Sequence, residues 1–268
     1  MNFEWEIIKR FSEADTTCFS YEEAKSGFAK KNPTYIAQVL SKMVSENKLI
    51  KLQRGLYYIV PLEHNGKNFI PNWHLVAKCL MKGKNYYVGY YSAMQIHNII
   101  TQPSLTEIIV TDIQVKPAKL EIQGVRFQFV YHNKQRFFGS EKTWIDDYSK
   151  INCSDIEKTI VDSLINPHYS GGIVEIAKAV YETRNKISKD KLFTYFTKAG
   201  SKVAARRYVF MCDLLEINDS HHESLLQNNL TGSILSLDTS LPDEGKIDTK
   251  YGLRINRDVQ TIKESVYT

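Results

Sequence analysis

The sequence is 268 residues long and contains no run of ~18 apolar residues, which excludes a membrane-spanning helix. It opens with MNFEWEIIKRF, where acids sit among the apolar positions instead of a basic stretch leading into an apolar one. That layout is not a secretory leader, so the expected location is the cytoplasm and no membrane partner is expected. Cysteine is scarce: Cys18, Cys79, Cys153 and Cys212 lie far apart with no C-x-x-C pair, and the histidines are scattered apart from His221-His222. Zinc spacing is therefore absent, and the cysteines are expected to be reduced and partly buried. No G-x-S-x-G, P-loop or paired-glycine phosphate motif occurs, and there is no internal repeat or heptad run. The expectation is a protein that is not an enzyme, with no catalytic residues, no cofactor and no metal.

What is present describes a folded chain. Hydrophobic residues make up 43%, aromatics 12% and charged residues 24%, a balance that disordered chains lack. The length suits about two domains on a ~100–200-residue prior. Net charge is only +5, but it is unevenly placed: Lys30 to Arg54 holds six basic residues and one acid, and Arg184 to Arg207 holds eight and one. The remainder carries 21 basic against 28 acidic residues. Two concentrated basic stretches on an otherwise acidic chain point to a polyanionic partner.

The first sixty residues read as a complete unit. Phe3, Ile7, Ile8 and Phe11 recur at helical spacing. After the polar link Thr16-Thr17, Ser20 and Glu23 form a capping box that opens a short helix ending near Ala29. Pro33 suits a first helical turn, and Ile36, Val39, Leu40 and Met43 mark a third helix to about Asn47. LIKL, a turn at Gln53-Arg54-Gly55 and LYYIV then read as a β-hairpin. Three helices and a hairpin are the element order of a winged helix-turn-helix domain, placed at residues 1–62.

Once the apolar face of the third helix is assigned to the core, Thr34, Tyr35, Gln38, Ser41 and Lys42 are left outward, with Lys30 and Lys31 before them. Gln38 can pair bidentately with adenine, and Thr34 and Tyr35 can bond phosphate or touch a thymine methyl. Lys51, Gln53 and Arg54 fall in the wing, where a basic tip reaches phosphates or the minor groove. Helix entrance, helix face and wing are expected to converge on one DNA-binding surface. Winged helices also serve as protein-contact modules, so fold alone does not decide between the two.

EHNGKNFIPN (63–72) reads as a short linker, and residues 68–268 as a mixed α+β domain. Helices are expected through Leu75 to Leu80 and Ser92 to His97, and strands at 107–111, 119–122 and 125–132. Val125, Phe127, Phe129 and Tyr131 alternate as one buried face. Ser154 with Glu157 reads as another capping box, opening a helical second half that ends in the late strands SILSLD and KYGLRIN. The fold class expected for the whole is α+β.

Four phrases, in order along both domains, resemble the AbiEi antitoxin family. They are Leu49 to Ile59 (LIKLQRGLYYI), Tyr87 to His97 (YVGYYSAMQIH), Ser154 to Leu164 (SDIEKTIVDSL), and the late Leu237-Asp238 with Leu253 to Asn256. None is a catalytic signature; the specificity lies in their order and spacing. The resemblance implies a bacterial abortive-infection, or toxin-antitoxin, system used in phage defence. In it a winged helix binds inverted repeats in its own promoter and autoregulates negatively, and the C-terminal domain supports repression and neutralisation of an AbiEii nucleotidyltransferase toxin, without a stable complex in the founding systems. It implies DNA-reading roles for Lys30, Lys31, Thr34, Tyr35, Gln38 and Arg54, and offers no short motif for neutralisation.

Several residues invite other readings. Asp155, Glu157, Lys158 and Asp162, with Asp112 and Lys116, supply the residue types of a metal-dependent nuclease, the alternative function for a chain with a DNA-targeting winged helix. Capping and strand-end roles account for them more simply. The tyrosines Tyr86, Tyr87, Tyr90 and Tyr91 could stack bases, although core packing is the commoner use. Lone His74 and His97 read as structural. Lys198, Lys202, Arg206 and Arg207 recur at helical spacing, either as a solvated face or as a second phosphate-binding surface for DNA, RNA or an acidic partner.

Overall fold

The computed structural model describes residues 2–13, 17–62, 64, 69–230 and 232–267. Thr16 of the polar link, and Glu63 and residues 65–68 of the expected linker, lie outside the described residues. The fold is mixed α+β, as the sequence implies, and it divides into two compact units. The first comprises residues 1–84 with 121–126, and the second comprises 85–120 with 127–268. The division at Lys84 corrects the boundary expected between 62 and 68: the helix after the linker belongs to the first unit.

In the first unit the order is α1 (Phe3–Glu13), β1 (Cys18–Ser20), α2 (Tyr21–Gly27), α3 (Pro33–Ser45), β2 (Leu49–Gln53), β3 (Leu56–Ile59) and α4 (Trp73–Leu80). The strand β1 is an addition to the expected three helices and hairpin, and the sheet runs antiparallel in the order β1-β3-β2. Its three residues are too few to show a period of two in the sequence. Helix α2 starts as expected: Ser20 Oγ accepts from Glu23 N at 3.1 Å, and Glu23 Oε2 accepts from Ser20 N at 2.7 Å. Helix α3 is capped by Asn32, which accepts from Thr34 N at 2.8 Å, with Pro33 in the first turn where its missing N–H has no partner to lose. Ile36, Leu40 and Met43 are fully buried, and each such side chain contributes roughly 1.5–3 kcal/mol. Phe3, Ile7, Ile8 and Phe11 of α1 complete this core with Phe19 and Leu49.

Cys18 and Cys79 are joined as a disulfide, which corrects the expectation that all four cysteines are reduced. Their sequence separation of 61 gives no hint of contact, but the fold brings the Cα atoms to 6.0 Å, within bridging range. Cys153 and Cys212 are free and buried, as expected.

From Asn85 onward the elements are β4 (Tyr86–Val88), α5 (Tyr90–Ile96), β5 (Thr106–Thr111), β6 (Lys119–Ile122), β7 (Val125–Tyr131), β8 (Ser140–Trp144) and β9 (Lys150–Ser154), with the end of β6 and the start of β7 counted in the first unit. Six strands form one sheet in the order β6-β7-β5-β4-β9-β8, with β4 antiparallel to β5 and parallel to β9. On β7 the alternation ends early: Val130 is buried in a cluster with Tyr87, Tyr90, Ile108 and Val110, and Tyr131 is exposed, contrary to expectation. Helices α6 (Ile156–Ile165), α7 (Ile173–Thr183), α8 (Lys189–Ala199) and α9 (Lys202–Leu214) build the largest hydrophobic cluster. The chain ends with α10 (His222–Asn229), β10 (Leu235–Ser236), β11 (Lys246–Asp248), β12 (Leu253–Ile255) and α11 (Val259–Ser265). The late strands form a small sheet in the order β10-β12-β11.

The cap of α6 differs from the expected one. Ser154 ends β9, and it is Asp155 that caps, accepting from Lys158 N at 2.8 Å. Glu157 reaches away from the helix start to Ser188 N at 2.9 Å and Lys191 Nζ at 2.9 Å, so the Ser154–Glu157 box does not form.

Candidate nucleic-acid interface

The residues expected to read DNA are all on the surface of the first unit. Lys30, Lys31, Thr34, Tyr35, Gln38, Lys42, Lys51 and Arg54 are exposed, while Ile36, Val39, Leu40 and Met43 of the same helix are buried. The apolar face of α3 is thus spent on the core and its polar face is left exposed. One tyrosine joins the two parts of this surface. Tyr21 Oη donates to Pro33 O at 3.1 Å, at the first residue of α3, and Tyr21 N donates to Gly55 O at 2.7 Å, in the β2–β3 turn. The start of α3 and the turn carrying Arg54 therefore lie within reach of a single residue. Gly55 has φ +75, a left-handed conformation that glycine adopts without steric penalty, which lets the turn stay tight.

Aromatic packing holds the start of α3. Tyr35 stacks on Phe3 with ring centroids 5.6 Å apart, and Lys31 Nζ sits 5.2 Å from the same ring. No carboxylate among the described residues pairs with Lys30, Lys51 or Arg54. Lys42 differs from the other seven. Its Nζ lies 2.7 Å from Glu4 Oε1 and 3.5 Å from Glu46 Oε1, and Lys48 Nζ lies 2.6 Å from Glu4 Oε2. The hydrogen bonds from Lys42 and Lys48 hold the buried Glu4 carboxyl below its ordinary range. Lys42 therefore ties α3 to α1, with its charge matched inside the unit. The free cationic groups cluster at the start of α3 and along the hairpin, where they can meet phosphates without first breaking an ion pair.

The second basic stretch does not form a surface. Arg206 and Arg207 are each only 1% exposed, which corrects the expectation of a phosphate-binding face with Lys198 and Lys202. Arg206 Nε donates to Asn229 O at 2.6 Å and Nη1 to Ser233 O at 3.0 Å; Arg207 donates to Leu164 O at 2.7 Å and Ser236 O at 2.6 Å. Burial pushes the Arg207 guanidinium down to about 10, and backbone carbonyls take the place of water around it. Lys198 and Lys202 remain exposed, with Lys198 Nζ 4.3 Å from the Phe138 ring.

The acids read as nuclease candidates have structural partners. Asp155 caps α6 and accepts from Tyr195 Oη at 2.8 Å, Glu157 pairs with Lys191, and Asp112 accepts from Asn85 Nδ2 at 2.8 Å. Among the described residues no three histidines, cysteines or carboxylates come together where they could hold a metal ion. Tyr86, Tyr87 and Tyr90 are buried, so no exposed stacking platform exists there.

A buried polar network in the second unit was missed by sequence reasoning. Lys158 bonds Asp162 one turn along α6, and both are fully buried. Asp162 Oδ2 accepts from Tyr87 Oη at 2.9 Å, which contacts His132 Nδ1 at 3.1 Å, and His132 Nε2 contacts Tyr90 Oη at 2.8 Å. Desolvation pushes Lys158 and His132 below their ordinary values and the two tyrosines well above theirs. The sequence signal is an i, i+4 lysine–aspartate pair on a helix whose Ile156, Ile160, Val161 and Leu164 mark it for the core. Tyr87 and Tyr90 come from one of the phrases that carry the resemblance and Lys158 and Asp162 from another, so those two phrases meet in space, with His132, from outside all four, bonded between the tyrosines. The late phrase is structural as well: Asp238 Oδ2 accepts from Ile173 N at 2.9 Å, and Asn256 Oδ1 accepts from Asp238 N at 2.9 Å.

Neither a family model nor a curated protein matches this sequence. Among solved structures, the fold is similar to that in the crystal structure of the RV2827C protein from Mycobacterium tuberculosis, with a TM-score of 0.68, covering 98% of this chain and 94% of that one. Identity is 12%, so the likeness is one of fold over nearly the full length of both chains.

Proposed function

We propose that residues 1–62 are a winged helix-turn-helix that binds double-stranded operator DNA, and that the chain is a repressor and antitoxin acting by binding instead of catalysis. The observation that carries this reading is Tyr21, whose two hydrogen bonds hold the start of α3 and the β2–β3 turn together as one exposed basic surface. The order α1-β1-α2-α3-β2-β3 with sheet order β1-β3-β2 supports it, because a winged helix presents its third helix to the major groove and its hairpin to the flanking backbone. Lys30, Lys31 and Arg54 serve as phosphate contacts, Thr34, Tyr35 and Gln38 as groove contacts, and Lys51 as a contact beside the turn. Lys42 is a weaker candidate, held by Glu4. A cytoplasmic location is part of the same proposal; the nucleotidyltransferase toxin as functional partner follows from the family resemblance, as do inverted repeats in the operator.

Equilibrium binding to the promoter upstream of its own gene tests the DNA reading. Specific binding that weakens steeply between low and physiological salt is expected; equal affinity for a scrambled duplex would overturn it. For the antitoxin role, co-expression with an adjacent nucleotidyltransferase gene should restore growth, and continued arrest would refute it.

A further inference from the structure

The Cys18–Cys79 disulfide has no part in the DNA-binding reading, yet it is bonded into the same surface. Cys18 begins β1, an edge strand held to β3 through three residue pairs, Cys18↔Tyr58 to Ser20↔Leu56. Its partner Cys79 lies on α4, and two further contacts fasten that helix and the turn after it. Thr17 Oγ1 lies 3.6 Å from Cys79 Sγ, and Lys82 Nζ lies 2.5 Å from Glu23 Oε1. The other oxygen of Glu23 closes the capping box on Ser20, and the next residue is Tyr21, which holds α3 and the β2–β3 turn. A continuous path of covalent and hydrogen bonds therefore runs from α4 through β1 to the exposed basic surface.

The other thiols are poor competitors for redox chemistry. Burial pushes the Cys212 thiol up to about 12 and Cys153 further, so at neutral pH both are protonated and unreactive. In a reducing compartment, a disulfide is commonly one that opens and closes.

We propose that Cys18–Cys79 is a redox clasp: closed, it holds the surface of α3 and the hairpin in its binding form, and opened by a dithiol reductant it frees α4 and lowers affinity for DNA. The effect on affinity rests on the DNA-binding reading; the release of α4 does not. In the chemistry, a reductant thiolate attacks one sulfur, breaking the S–S bond and forming a mixed disulfide. The second thiol of the reductant displaces it, so the reductant leaves as its cyclic disulfide and Cys18 and Cys79 each gain one electron and one proton. Cys18 is 7% exposed and Cys79 2%, so attack follows local opening, which a three-residue edge strand permits.

The test uses the full chain oxidised with oxidised glutathione and reduced with dithiothreitol under nitrogen. Thiol titration in guanidinium should count the two free cysteines in the first form and all four in the second. Amide exchange over residues 73–84 should quicken by roughly tenfold or more on reduction. Affinity for the upstream promoter should fall severalfold. Cys79→Ser should match the reduced form and ignore dithiothreitol. Unchanged exchange and affinity with all four thiols free would overturn the proposal, as would four free thiols after treatment with oxidised glutathione. Should neither form bind DNA while exchange still responds, the operator reading fails and the clasp stands.

Discussion

Lys158 and Asp162 stand one turn apart on α6, fully buried, with their charges matched to each other and to nearby hydroxyl groups. Removing one partner leaves an uncompensated charge, whereas replacing both with apolar groups removes the demand for solvation. Asp162→Ala should therefore destabilise the fold by about 3–5 kcal/mol in urea unfolding, and Lys158→Met with Asp162→Leu by clearly less. His132 in the same network gives a pH dependence. Burial lowers its folded value, with Asp162 opposing and Lys158 and Arg136 adding to the shift. The folded state thus binds a proton less readily than the unfolded chain. Its contribution to stability is present above the ordinary value of about 6.5 and is lost as pH falls through the depressed folded value. The unfolding midpoint should drop over that window, and His132→Gln, which keeps polar atoms at both tyrosines without titrating, should flatten the drop. The sequence displayed these residues but not their burial, so their types suggested chemistry where the fold uses them for packing. Arg206 and Arg207 make the same point more sharply: as neighbours in sequence they looked like exposed charge, and the carbonyls that receive them come from segments too distant in the chain to be foreseen.

Elements with a strong local signal were legible. The Ser20–Glu23 capping box, Pro33 at the start of α3 and the glycine in the β2–β3 turn each act within a few residues, so local chemistry decides them. Ser20→Ala should cost about 1 kcal/mol, read as a lowered urea midpoint with an unchanged slope, and Ser20→Gly only a few tenths. Elements that depend on distant partners were not legible. β8 (SEKTW) is almost wholly exposed at the edge of its sheet, so it has no apolar alternation to announce it. β9 (KINCS), between β8 and β4, does alternate, with Ile151 and Cys153 buried and Lys150 and Asn152 more open, but a single aliphatic side chain in five residues gives the sequence too little contrast to announce it. At α6, Ser154 and Asp155 both had capping chemistry, and the choice fell to Asp155 because β9 claims Ser154 and Lys191 draws Glu157 away.

At the scale of the whole molecule, the net charge of +5 separates into different uses. The basic residues of the first basic stretch lie outside the core, at the start of α3 and on the hairpin, with Lys42 and Lys48 matched by Glu4. Those of the second stretch are divided among buried arginines, ion pairs such as Lys191 with Glu157, and exposed lysines such as Lys198 and Lys202. The order and placement of helices in the first unit could be read from spacing, as could the outward set on α3. The extent of the unit could not, because α4 joins it through a disulfide whose ends lie 61 residues apart. The central claim is that α3 reads bases while the hairpin holds the backbone. It is tested most directly by measuring the affinity of Arg54→Ala and Gln38→Ala for a panel of promoter duplexes with one base pair changed at a time. Arg54→Ala should weaken every duplex alike and reduce the salt slope by about 1, whereas Gln38→Ala should lose about 1–3 kcal/mol of discrimination at a single A·T position. Wild-type preferences left intact in both variants would contradict the account.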